Sequence, residues 1–308
     1  KENKSFQKQL DQASKEFLKL ASNRNLDEIN NEKDFLDIYK KLIEYEFLDV
    51  NQFVENHSLF SLACRINQIE IVEKLLKSNR ADVNSTFTKG NNPLLIAINN
   101  ENIEIAKLII NDDGIDINHR NNDKETALTL AVEKGFIELV ELIINKEKFD
   151  SIKSRVNYSF YRSNDEIASI LIKCNGLDVN YKNKKEISDE KRNKKEIGNE
   201  KIIFNSRKFI FNQGISINYF ENKSELNIYT TPLYDATQKL LSKKVDLIIN
   251  HPLFDPVKSL AKECIFLCCR NDDTSTNVDI FRKLIKIYNN DVNLVNSENK
   301  SLFEDSLK

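Results

Sequence analysis

The residues best suited to metal or nucleophile chemistry are three histidines, at positions 57, 119 and 251, and five cysteines, at 64, 174, 264, 268 and 269. A zinc site gathers several such ligands at close spacing. Here each histidine falls in a different segment, and no His-x-x-x-His or Cys-x-x-Cys pair occurs. Cys264 and Cys268, one helical turn apart beside Cys269, read as small apolar residues of a packed helix. Six glycines in 308 residues form neither a Gly-x-x-x-x-Gly-Lys-Ser/Thr nor a Gly-x-Gly-x-x-Gly phosphate loop. No Gly-x-Ser-x-Gly elbow for a hydrolase is present. Carboxylates recur at helix-surface offsets, as in Glu70/Glu73 and Glu138/Glu141, and read as solvated faces rather than acid–base pairs. The expectation is no catalytic residue, no metal, no cofactor and no enzyme.

Bulk properties narrow the class further. Forty-six basic residues against forty-eight acidic ones leave a net charge of −2, which supplies no broad positive field for nucleic acid or anionic lipid. No apolar run approaches the roughly 18 residues of a membrane span, and the opening "KENKSFQKQL" lacks the apolar core of a signal peptide. An odd cysteine count without framework spacing points to a reducing, intracellular and cytoplasmic setting. The sequence contains no Met at all and reads as a fragment or as a chain with missing positions.

Chemistry being absent, the elements themselves carry the information. The Asp of an "xDxN"-like signature recurs at Asp49 ("LDVN"), Asp82 ("ADVN"), Asp116 ("IDIN"), Asp150 ("FDSI") and Asp178 ("LDVN"), in steps of 33, 34, 34 and 28 residues. Ser216 ("ISIN"), Asp255 ("FDPV") and Asp291 ("NDVN") continue the series at 38, 39 and 36. Self-similarity at this period marks a repeat architecture. Between signatures, Ser58, Asn92 and Thr126 are of the types that cap a helix, and a short apolar helix follows each, holding Ala63, Ala97 or Ala131. Polar turns centred on Asn67, Glu101 and Gly135 lead to second helices. Those predict apolar faces at Ile69, Val72, Leu75 and Leu76, and at Ile103, Ala106, Ile109 and Ile110, on one side of a 3.6-residue helix. Such a hairpin cannot bury both stripes alone, so neighbours must stack.

The stretches "NPLLIA" (92–97), "TALTLA" (126–131) and "TPLYDA" (231–236) resemble the opening of the ankyrin repeat, a 33-residue unit with a T-P-L-H-x-A signature. The resemblance covers 57–150 well, and 154–180 and the chain from 231 less closely. It implies an all-α fold, an ankyrin-type helical-repeat solenoid with short β-hairpin fingers.

The organisation expected is an N-terminal helical cap (1–50) and the repeats of strongest consensus (51–180). An insertion and degenerate repeat (181–230) come next, then further divergent repeats with the last one truncated (231–308). Residues 6–46 read as two helices forming the cap, and the finger after Asp150 is nearly deleted. Residues 181–201 hold eight basic and five acidic residues and read as a solvated segment. A break or kink is expected near 199–218, around Ile202, Ile203, Phe209, Ile210 and Phe211.

The function expected is a protein–protein interaction module, an adaptor or scaffold that meets a partner protein through a concave face and finger tips. One alternative is a structural subunit of a large cytoskeletal or multi-protein assembly; another is the recognition arm of a larger enzyme such as a ubiquitin ligase or kinase. In the resembled family, contacts lie in the fingers and at the end of the first helix. Carried over by alignment, these are Arg65, Ile66, Phe87, Thr88, Lys89, Asn91, Asn99, Asn100, Asn122, Asp123, Glu125, Glu133, Lys134, Gln238 and Lys239. Phe87, Tyr219, Phe220 and Tyr229 are the aromatic residues in or near fingers, able either to anchor a partner or to pack beneath the finger.

Overall fold

The computed structural model describes residues 2–22, 33–55, 57–184, 216–217, 228–270, 275–288 and 294–295. They form two compact units, Lys1–Arg155 and Val156–Lys308; the division falls inside the block 51–180 that the sequence presents as continuous. In the first unit, α1 (Glu2–Ser22) pairs with α2 (Lys33–Glu44), followed by the hairpins α3 (Leu59–Arg65)/α4 (Ile69–Lys77), α5 (Pro93–Asn99)/α6 (Ile103–Asn111) and α7 (Ala127–Lys134)/α8 (Ile137–Ile144). First helices pack on first helices, α3 on α5 and α5 on α7, and second helices do likewise. Segments 58–66 and 92–100 therefore lie side by side, as stacking requires.

In the second unit the hairpins are α9 (Val156–Arg162)/α10 (Asp165–Leu171), α11 (Pro232–Gln238)/α12 (Ser242–Ile249) and α13 (Ala261–Arg270)/α14 (Ser275–Ile287). Here α9 packs on α11 and α10 on α12. The repeat at 231 thus follows the one at 156 directly, and the "ISIN" signature at Ser216 takes no place of its own in the stack. It is instead part of an excursion from one finger. β1 (Asn183–Lys184) and β2 (Ser216–Ile217) pair antiparallel with β3 (Ile228–Thr230) on either side. Apart from Ser216 and Ile217, the expected break at 199–218 lies outside the described residues, as do the charged stretch beyond Lys184, Tyr219, Phe220 and the final "SLFEDSLK".

Local chemistry explains why these sequences make these helices. Ser58 Oγ, Asn92 Oδ1, Thr126 Oγ1 and Thr231 Oγ1 each accept the backbone N–H three residues on, satisfying one orphan donor of the first turn. Ser61 and Thr129 reciprocate by accepting the N–H of Ser58 and Thr126. Ala63, Ala97, Ala131 and Ala236 have no exposed surface, because a side chain larger than methyl would push the first helices apart. Mid-hairpin turns place Asn67, Glu101, Gly135 and Leu240 at φ of 57, 61, 73 and 57°. Only Gly135 adopts that conformation without a Cβ clash. On the second helices the buried set is Ile71, Val72 and Leu75; Ile69 and Leu76 are half-buried rims, so the predicted stripe was rotated by part of a turn.

The Asp-x-Asn signature has a double duty. The carboxylates of Asp49, Asp82, Asp116 and Asp178 accept the N–H two residues on, folding their own turn. Each following Asn then reaches the next repeat. Asn51 bonds Arg80 O and Asp82 N, Asn84 bonds Gly114 O and Asp116 N, and Asn118 bonds Lys148 O and Asp150 N. Asn180 bonds Leu253 O and Asp255 N, which confirms that 255 is the successor of 178 in the stack. The fingers of the first unit close on single pairs, Val54 with His57, Phe87 with Asn91 and Asn121 with Glu125, rather than on ladders.

Candidate partner-binding surface

The fingers position seven of the fifteen carried-over contact residues. Phe87 N donates to Asn91 O at 2.8 Å and Asn121 N to Glu125 O at 3.0 Å, closing two short loops with Lys89 and Lys124 at positive φ. The loops lock to each other. Asn122 N donates to Lys89 O at 2.9 Å, His119 Nε2 meets Gly90 O at 2.7 Å, and Asn121 Nδ2 bonds both Asn91 Oδ1 and Glu125 Oε2. Gly90 has a φ of 73°, and a Cβ there would meet Asn122 Oδ1 at 2.8 Å, so glycine suits both the turn and the close approach. On this frame Thr88, Lys89, Asn122 and Asp123 are exposed, with Lys89 and Asp123 paired at 3.4 Å.

At the first-helix ends, Asn99 and Glu133 are exposed, and Asn100 and Lys134 half-buried. Lys134 reaches Glu101 of the preceding hairpin at 3.0 Å. The structure thus gathers Thr88, Lys89, Asn91, Asn122, Asp123 and Glu125 in two adjacent fingers, and ties the end of α7 to the turn after α5. Gln238 and Lys239, in the second unit, are exposed at the end of α11, and Lys239 pairs with Asp235 at 3.0 Å.

Three expected contact residues are otherwise employed. Ile66 is 1% exposed and Phe87 8%; the Phe87 ring lies 5.5 Å from that of Phe53 in the preceding finger, so it packs finger on finger. Arg65 donates to Ala21 O at the end of α1, where backbone carbonyls lack helical partners. Its guanidinium and burial hold the neighbouring His57 neutral, with a pKa lowered to about 4, burial being the larger cause.

Sequence reading missed several notable side chains. Lys244 is 0% exposed at the core position held by Ile71, Ile105, Leu139 and Ile167 in other hairpins. Its ammonium donates to Tyr161 O at 3.1 Å and Ser163 O at 2.6 Å and lies 5.3 Å from the Phe160 ring centroid. Burial lowers its pKa to about 7, against the partial support of Asp235 and Asp165. Ile152 and Val257, 83% and 82% exposed, occupy the Asn position in "FDSIKS" and "FDPVKS". The shared letters F-D-x-x-K-S were the available signal. Cys64 and Cys264 are fully buried thiols whose pKa burial pushes up, unsuited to nucleophilic work.

Among the described residues, no group of three or more His, Cys, Asp or Glu could hold a metal ion, and no helix is long and apolar enough to cross a membrane. Glu73 and Glu138 pair with Lys77 and Lys107 at 3.1 and 2.8 Å on solvated faces.

A family model of three ankyrin repeats matches residues 29–121 and again 60–155. Among solved structures, the chain is similar to the human ASB11 ankyrin repeat domain (15% identity, TM-score 0.47, covering 81% of this chain and 92% of that one). It is also similar to an ankyrin repeat domain from Acinetobacter baumannii AYE (18%, 0.45, 73% and 95%). A third is the Bdellovibrio bacteriovorus predatory endopeptidase Bd0816 in complex with immunity protein Bd3460 (21%, 0.40, 50% and 82%). No curated protein matches the sequence. Residues 29–155, where the family's sequence pattern falls on stacked, capped helical hairpins, are ankyrin repeats, a module of protein–protein interaction.

Proposed function

We propose that this chain is an adaptor or scaffold that holds a partner protein against the fingers and first-helix ends of residues 85–134. The observation that supports this most is the pair of interlocked fingers, in which every backbone turn is fixed from within while Lys89, Asn122 and Asp123 point outward. A surface ordered before binding loses little entropy on association. A mixed-charge, polar tip also suits a partner recognised by orientation more than by burial. Gln238 and Lys239 form a second, separate contact point in the other unit. The free buried thiols of Cys64 and Cys264 suit a reducing compartment.

The test is capture of partners by the full chain and by a Lys89→Glu/Asp123→Lys double variant across a salt series. The expected result is a partner lost from the variant and progressively washed off the parent by salt, with melting temperatures unchanged. Equal recovery with both chains would sink the assignment of the binding face. A salt-resistant, stoichiometric set of subunits would instead favour the permanent-assembly reading.

A further inference from the structure

The N-terminal helical pair carries more apolar surface than the fold covers. Residues buried on α1 are Leu10, Ser14, Phe17, Leu18 and Ala21. At 100° per residue the apolar stripe extends past Phe17 through Phe6, Ala13 and Leu20, spanning roughly 160° in all. Phe6 and Leu20 remain 51% and 54% exposed. On α2 the stripe of Phe35, Tyr39, Leu42 and Ile43 likewise continues through Ile38 and, just past the helix end, Tyr45, 51% and 43% exposed. The two uncovered edges meet. The Phe6 and Tyr45 rings are 5.8 Å apart, Gln7 Nε2 donates to Phe47 O, and Phe47 is 85% exposed. Phe17 meets Phe35 at 4.3 Å while Phe6 meets Tyr45, so the helices run antiparallel and Ile38 lies about level with Ala13.

We infer that this strip is the contact between two copies of the chain, related by a two-fold axis through Ala13 and Ile38. Three features select that occupant. The strip is graded, aromatic at the Phe6–Tyr45–Phe47 end and aliphatic at the Leu20 end, so a two-fold lays each end on its complement, as an isologous interface demands. Its centre is Ala13, whose methyl lets two α1 helices approach closely. Antiparallel pairing about Ala13 sets Lys19 level with Gln7, Glu16 with Leu10 and Lys15 with Asp11, leaving no like charges face to face. The five large side chains expose roughly 500 Å² of apolar surface, near the apolar share of the about 800 Å² per partner in a standard interface.

The experiment is sedimentation of the full chain over a concentration series, with circular dichroism as the control for folding. The parent should pass from monomer to dimer, and Ala13→Glu, a good helix former at an exposed position, should weaken the dimer at least tenfold with its spectrum unchanged. In a Cys174→Ser background, Ala13→Cys should cross-link copies on oxidation. Lys8→Cys, about 140° around α1 from Ala13 and exposed away from the strip, should not. A parent that stays monomeric throughout, or equal cross-linking at both positions, would overturn the inference. These readouts need no partner protein, so they are independent of the finger surface.

Discussion

The two units end their first helices in different ways. In the first, the carbonyls of Cys64 and Arg65 at the end of α3 receive the neutral amide of Asn102, at 2.7 and 3.1 Å, from the next hairpin. In the second, the carbonyls of Tyr161 and Ser163 receive the ammonium of Lys244. Both solutions meet acceptors that would otherwise be buried without donors, which is costlier than any single bond is favourable. The amide does this without a charge. The lysine brings one into a core position, and that charge is what gives the second unit a pH response.

Linkers differ in the same spirit. Where a finger follows, the signature Asn clamps the next repeat. Where it is missing, Ile152 or Val257 replaces the Asn, and the turn is rebuilt identically in both units. Asp150 and Asp255 each accept two N–H groups, and Ser154 and Ser259 donate to Asn118 and Asn180 of the preceding signature. Thr126 and Thr231, the helix caps, donate to the carbonyls of those same serines. A repeat can therefore lose its finger and keep its register, because register depends on these backbone bonds and not on the finger.

Lys244 offers the largest break in the comparison. Its folded pKa, about 7, lies below the roughly 10.4 of an unfolded lysine. The unfolded chain then holds more protons between those values, so stability rises with pH across that window. The rise should be a few kcal/mol at most, read by denaturant melts from pH 7 to 9.5, and Lys244→Met should flatten it. Next, Asn102→Ala should cost about 1–3 kcal/mol at any of these pH values, since it strands two carbonyls; a cost that varied with pH would blur the contrast. Opposite in sign, Leu240→Gly should stabilise by about 1 kcal/mol, relieving a left-handed leucine, while Gly135→Leu should cost a similar amount. Smallest is Ile152→Asn, expected within about 0.5 kcal/mol; a large gain would mean that the rebuilt turn is a defect and not an equivalent solution.

Much of this was legible from residues alone. The caps, the alanine seams, the period and the Asp-x-Asn signature all depend on contacts within one hairpin or with the next, and repetition averages out their noise. Ser216 shows the limit. "ISIN" resembles a signature by letters, yet the clamp from Asn180 lands on Leu253 and Asp255. Ile66 and Phe87 show another, since alignment places a residue at a contact position without saying which way it faces. The finger set was readable as a group, while the bonds that interlock the two fingers were not.

Local chemistry, then, determined the hairpin, its caps and its period, because each needs only groups a few residues apart. Which hairpin follows which, which lysine lies in a core, and which apolar edge stays bare were decided only in three dimensions. Those outcomes join residues some 70–80 positions apart, as in Asn180 with Asp255 and Lys244 with Ser163, where the intervening chain length carries no signal of proximity.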